Sequence, residues 1–165
     1  HLTPEGSDMA TAVTSQKLAS TAFRKLYDHD PGATSAVITS PDGGTTKRVV
    51  SIVGYELFGV GAMTSVSASS SGITKVEIVG CTDSSGTSPT VVTDSGTVAA
   101  DAVGDYVWVE CTAAQVKEVG DAAGLVLTHV AARLTCSNSG DEAVVGYELS
   151  QPRFPAGSLT ANSIS

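Results

Sequence analysis

The sequence predicts an all-β protein: an antiparallel β-sandwich, jelly-roll-like, with about eight strands and one short helix. Three observations lead there. The 165 residues include 21 Val and 19 Thr, β-branched residues that suit a pleated, half-buried surface. Apolar and polar residues alternate with period two along most of the chain, and clusters of Gly, Pro, Asp and Ser interrupt the alternation as turns. Charged residues are only 16% and aromatics 5%, whereas a helical bundle would be rich in Leu, Glu, Lys and Arg. With 41% hydrophobic residues the chain carries enough apolar surface for one folded domain.

The elements follow in order. Residues 1–20 read as an N-terminal arm: Asp8 suits an N-cap, but Met9, Val13 and Leu18 make a thin apolar face for a helix. The β-sandwich domain is expected over residues 21–151. Thr21 to Asp28 alternates and stops at the turn cluster Asp28-His29-Asp30-Pro31-Gly32. Ala33 to Ser40 and Thr45 to Val53 flank Pro41-Asp42-Gly43-Gly44 and predict a hairpin. Tyr55 to Val60 is a further strand, where Gly59 and Gly61 suggest a bulge or a close backbone approach. After a Ser-rich loop over residues 65–72, Ile73 to Cys81 sets Val76 and Ile78 against Lys75 and Glu77. A short strand over Pro89 to Thr93 comes next. Gly104 to Cys111 then alternates Val107, Val109 and Cys111 against Tyr106, Trp108 and Glu110.

One helix interrupts the strands. Thr112 and Gln115 have capping-box spacing, the residues from Ala113 to Val119 favour helix, and Gly120 is expected to stop it. Leu125 to Cys136 is a long strand with Val130, Ala132, Leu134 and Cys136 on one face and His129 and Arg133 on the other. Ala143 to Ser150 is the last strand, Pro152 and Pro155 end the pairing, and residues 152–165 form a polar C-terminal tail. Strands so closely spaced imply antiparallel sheets, since a parallel sheet needs a helix after each strand. No repeat of 20–50 residues is present, which disfavours propellers and solenoids.

Charge and cysteine narrow the function. Nine Lys and Arg against 17 Asp and Glu give a net charge of −8, too few scattered cations for a phosphate-binding stripe. The same repulsion argues against an anionic membrane surface, and no apolar run approaches the ~20 residues of a membrane-spanning helix, so we expect a soluble protein. Three cysteines, Cys81, Cys111 and Cys136, have no C-x-x-C spacing; buried thiols are the simplest reading, with one disulfide open.

A search for chemistry yields little. Of the histidines, His1 is terminal, His29 lies in a turn between two aspartates, and His129 sits mid-strand. Asp28-His29-Asp30 lacks the spacing of a calcium loop. There is no G-x-S-x-G elbow, phosphate loop, dinucleotide fingerprint or H-E-x-x-H, and the sequence points to no catalytic residue, cofactor or metal. Glu77 and Glu110 are candidates for a carboxylate pair facing each other across strands, although strand-face charges commonly just protect edges. Tyr106 and Trp108 share a face with Glu110 and would suit stacking on a sugar. With one Trp in the chain, we expect the large aromatics to fill the core between the sheets instead.

The segments "DMATAVTSQKLAST", "YDHDPGATSAVITSPDGGTTKRVV", "GITKVEIVGCTDSSGTSPTVV", "GDYVWVEC" and "ARLTCSNSGDEAVVGYELSQPRFPAGSLTA" give the chain a texture that resembles small accessory structural proteins of tailed bacteriophages. The likeness covers most of the chain and lies in turn-rich strands, the "TAAQVKE" helix and the polar tail. It implies a non-enzymatic virion protein that decorates or cements a capsid, often as a trimer, with the major capsid protein or another virion protein as partner and without nucleic acid or membrane. It carries over no functional residue. Self-association or lattice contacts are expected at the arms, at Tyr147 and Phe154, and on the His129/Arg133 face. The alternative is a carbohydrate-binding β-sandwich module of a secreted or surface protein.

Overall fold

The alternating segments become strands in a computed structural model that describes residues 23–29, 36–37, 47–68 and 70–152. In chain order these are β1 (Phe23–His29), β2 (Ala36–Val37), β3 (Val50–Ser51), β4 (Tyr55–Val66), β5 (Ile73–Cys81), β6 (Thr90–Asp94), β7 (Tyr106–Thr112), helix α1 (Ala113–Ala123), β8 (His129–Cys136) and β9 (Glu142–Pro152). They form two antiparallel sheets. The first has the order β1-β9-β4-β7; the second has the order β2-β8-β5-β6, with β3 also paired to β8. The expected all-β sandwich is what the chain adopts.

The pairing is nested. β1 pairs with β9, β2 and β3 with β8, β4 with β7, and β5 with β6. The first half of the chain thus folds back on the second, and successive pairs fall in alternate sheets. Between the sheets, the inward residues Phe58, Val60, Val107, Val109 and Val145 of the first meet Val76, Ile78, Val130 and Leu134 of the second. Burying such apolar surface is the main favourable contribution to folding.

Several expectations change. The Pro41-Asp42-Gly43-Gly44 turn lies outside the described residues, and the described parts of its two flanking strands pair with β8, not with each other. Both strands pair with β8 along the same edge: Ala36 and Val37 opposite Leu134 and Arg133, then Val50 and Ser51 opposite Val130 and His129. They make one interrupted strand, because the unpaired edge of β8 satisfies more backbone groups than a local turn would. His29 closes β1, opposite Ala143, and is not a turn residue. β4 runs to Val66, past the predicted loop boundary, with a register shift between Thr64 and Val66. β9 extends through Pro152, which pairs with Tyr55 at the end of the ladder.

Helix α1 has the predicted capping box: Gln115 N–H donates to Thr112 Oγ1, and Thr112 N–H to Gln115 Oε1. It runs through Gly120 and stops at Gly124, whose φ of 68° is the left-handed conformation glycine adopts without strain. Gly120 serves close packing instead, since a Cβ there would lie 2.8 Å from the Leu125 carbonyl oxygen. β8 starts at His129, later than Leu125, because residues 125–128 pass between neighbouring segments. There Ile52 N–H donates to the Thr128 carbonyl and Thr128 N–H to that of Cys81.

One side chain joins the sheets. Tyr147 on β9 is 1% exposed, and its ring meets Phe58 edge-on, with centroids 5.1 Å apart at 80°. Its hydroxyl accepts from Ala132 N–H on β8 at 2.6 Å and donates to the Arg48 carbonyl at 3.0 Å. Ala132 lies midway between Val130, paired with β3, and Leu134, paired with β2. The phenol therefore bonds β8 at the rung between the two paired stretches. Tyr147→Phe keeps the ring but strands both backbone groups, and we expect a loss of about 1–3 kcal/mol in denaturant unfolding. The Ala132 amide should also exchange faster, whereas unchanged stability and unchanged exchange would contradict the bridge.

Candidate functional site

Of the described residues expected at a contact surface, Tyr147 is buried, whereas His129 and Arg133 share one face. Tyr147 is a core residue, because its parity on β9 matches Val145 and Leu149, and so it offers no surface to a partner. Phe154 and the 1–20 arm lie outside the described residues. His129 and Arg133 do share the non-core face of β8, and both are half-buried. His129 Nδ1 lies 2.8 Å from Thr128 Oγ1. The Arg133 guanidinium is engaged by Glu77, Nε to Oε2 at 2.5 Å, and Lys75 closes on the other carboxylate oxygen at 3.0 Å. Burial penalises the Glu77 carboxylate, but Arg133 and Lys75 outweigh it and hold the group below its ordinary range.

Other titratable groups have structural work. Asp141 is fully buried, and its oxygens accept from Ala68 N–H, Ser71 Oγ–H and Asn138 N–H at 2.8 to 2.9 Å. Burial disfavours its charge, yet these three donors keep the carboxyl below the usual aspartate range. They tie the loop after β4 to the turn before β9. Cys81, Cys111 and Cys136 are buried thiols, as the simplest reading of the cysteines has it. Burial, and then the Glu110 charge, pushes Cys111 up to about 12, so it stays a protonated, unreactive thiol. Glu77 and Glu110 cannot act as a pair, because they lie on the outer faces of opposite sheets. Among the described residues, no group of three His, Cys, Asp or Glu is placed to hold a metal, and no helix is long and apolar enough to cross a membrane.

The outer face of β7 is different. Val107, Val109 and Cys111 point into the core, so Tyr106, Trp108 and Glu110 point out. Tyr106 is 59% exposed and Trp108 46%, which corrects the expectation that the large aromatics fill the core. Among the described residues that expectation holds for Phe58 and Tyr147, with Tyr55 partly buried against the same core. A sandwich interior about 10 Å thick, already holding those two rings and a lining of Val and Ala, has the inner half of β7 in smaller residues.

Glycine makes the floor for the outer rings. On β4, Gly61 lies opposite Trp108 and Gly59 opposite Glu110. Each ring leans one step along the strand. A Cβ at Gly59 would lie 2.3 Å from Trp108 Cζ2, and one at Gly61 would lie 2.0 Å from Tyr106 Oη. The close approach was legible at Gly59 and Gly61; what approaches is an aromatic ring. Covering strand glycines with aromatic rings is a known stabilising device of sheets.

Polar groups frame the pair. Trp108 Nε1 donates to Glu110 Oε2 at 3.4 Å. Across the floor on β9, Glu148 lies opposite Gly59, so Glu110 and Glu148 flank that glycine in one row. Partial burial raises the Tyr106 phenol, and the Glu148 charge raises it further. Alongside β7 runs a depression of about 460 Å³, with Ser95, Ala100 and Asp105 lining it beside Tyr106 and Trp108. A usable signal for this site was the shared parity of Trp108 with Glu110, a residue that does not belong in an apolar core, together with two glycines two apart on β4.

No family model matches the chain, and no curated protein matches it.

The floor gives a direct test. In Gly59→Ala the indole must swing away, because the far end of a side chain yields before the backbone does. We expect the emission of the single Trp to shift red, with strand circular dichroism unchanged. Gly72→Ala should behave differently, since its Cβ would lie 1.9 Å from the Ala100 carbonyl oxygen. That clash should cost about 1–3 kcal/mol in unfolding while leaving Trp108 emission in place.

Proposed function

We propose that this chain is a non-enzymatic virion structural protein that decorates or cements a phage capsid as a homo-oligomer. The observation that carries the reading is the nested pairing of β1 with β9, β2 and β3 with β8, β4 with β7 and β5 with β6. Nested pairing of this kind, counting β2 and β3 as one strand, supports reading the sandwich as a jelly roll, an architecture that recurs in viral capsid and lectin domains. The resemblance to phage accessory proteins supports the same reading. So does the use of Glu77 and Asp141 to hold loops and strands, which leaves them engaged in structure.

The contact surface favoured for assembly is the end of the sandwich beside the start of β4. Val53 is 67% exposed there and Val126 78%, on segments tied together by the Ile52-to-Thr128 backbone bond. Between them a depression of about 330 Å³ is lined by Val53, Gly54, Leu127 and Lys117. Clustered exposed apolar residues of this kind mark interaction surfaces, and valine loses little side-chain entropy when covered. The polar terminal segments, residues 1–20 and 152–165, would add contact area.

Two measurements test this. Light scattering on the purified chain should give an oligomer, with a trimer expected, and the protein should co-sediment with heads of its own phage that lack it. The double variant Val53→Glu, Val126→Glu should weaken co-sedimentation about tenfold or more, with unfolding free energy changed by no more than about 0.5 kcal/mol per site. A monomer that stays in the supernatant overturns the reading.

A further inference from the structure

We propose that the outer face of β7 is a carbohydrate-binding site, in which Trp108 and Tyr106 stack against the apolar face of a neutral pyranose and Glu110 and Glu148 accept its hydroxyls. This is a second activity, independent of the capsid contact proposed above. Its basis is the arrangement of four residues on one sheet face.

A pyranose ring is amphipathic in a way that few ligands are. One face of a glucose- or galactose-type ring presents several C–H groups, and its rim carries hydroxyl donors. A fitting site needs an exposed flat apolar surface with hydrogen-bond acceptors at its borders. Here the flat surface is the indole of Trp108 and the phenol of Tyr106, 46% and 59% exposed. Both rest on Gly59 and Gly61, so their positions are fixed before a ligand arrives, which lowers the entropy cost of binding. The acceptors lie at the borders. Glu110 meets the indole N–H at 3.4 Å, and Glu148 lies across Gly59 with its charge acting on Tyr106. Hydroxyl-to-carboxylate bonds are charge-assisted and short.

The neighbouring depression extends the site. Its volume, about 460 Å³, is within the range of small-ligand clefts, and Ser95 and Asp105 put a hydroxyl and a carboxylate in its wall. Glycine cover alone explains why the rings lie flat on β4. It does not explain an acidic group at the indole nitrogen or a depression with polar groups beside the same strand. An apolar protein partner fits less well, since a strand added at the β7 edge would set Glu110 and Asp105 against its side chains. A hydroxyl-rich ligand offers further donors to both carboxylates, which already accept from Trp108 Nε1–H and Ala102 N–H.

The single Trp makes the test simple. The intact chain is titrated with cellohexaose, xylohexaose and galactohexaose, followed by Trp108 emission and by amide shifts in NMR. We expect a saturable emission change with at least one of them, and shifts confined to Tyr106, Trp108, Glu110, Glu148 and the residues 95–105. Glu110→Gln should weaken that binding about fivefold or more without altering thermal unfolding, and Trp108→Ala, read by NMR, should abolish it. Trp108→Phe keeps a ring on Gly59 and should retain partial binding, which separates lost stacking from lost folding. Absence of any response to all three sugars overturns the proposal, as does a response that Trp108→Ala leaves unchanged. A salt-sensitive response to an arginine-rich peptide, with none to the sugars, also overturns it and assigns the face to a cationic protein segment. Failure here leaves co-sedimentation with phage heads untouched, so the two readings fall separately.

Discussion

The hydroxyl of Tyr147 is the constraint on which the two sheets depend. β8 has β5 on one side and the short pieces β2 and β3 on the other, and among the described residues no strand residue lies opposite Ala132 on that side. A buried amide with no acceptor costs as much as a lost hydrogen bond. Tyr147 reaches across from β9 in the other sheet and accepts that bond, and its own O–H donates to the Arg48 carbonyl just before β3. The same ring packs edge-on against Phe58 of β4. One side chain thus couples the longest ladder of the first sheet, β4 with β9, to the interrupted edge of the second.

That use of Tyr147 and Phe58 determines what happens to the remaining large aromatics. Val and Ala line most of the interior, and the inner positions of β7 are Val107, Val109 and Cys111. Tyr106 and Trp108 fall on the opposite parity and go outside, where Gly59 and Gly61 leave room for rings to lie on the backbone. Among the described aromatics, Phe58 and Tyr147 thus join the sheets, whereas Tyr106 and Trp108 face solvent beside Glu110 and Glu148. The exposed valines Val53 and Val126 mark a different part of the surface, at the end of the barrel-like stack where β4 begins. A capsid contact there and a sugar platform on β7 do not compete for residues.

Much of the fold was legible, and the reasons for the misses are physical. Period-two alternation located β4, β5, β7, β8 and β9, because each has one face in the core. The Thr112–Gln115 capping box located α1 for a local reason, since its two bonds lie within four residues. Long-range competition accounts for the errors. β2 and β3 take the open edge of β8 in place of pairing with each other, and Gly120 is a packing glycine set by Leu125 and Leu127, which no local pattern reveals. The site was read less well. Tyr147 looked like a surface residue because only the opposite sheet shows why a phenol is needed inside. Trp108 looked like a core residue because size was weighed above parity with Glu110. Arg133 was read without its partner Glu77, 56 positions away in the chain.

The central claim is that Trp108 lies on the outside of a folded sheet. Acrylamide quenching of native protein emission tests it most directly, since the chain has a single Trp. The account predicts substantial quenching under fully native conditions, intermediate between that of free tryptophan and that of a core residue, with the folded far-ultraviolet spectrum unchanged. Emission that resists acrylamide until the protein is denatured would place the indole in the core and contradict it.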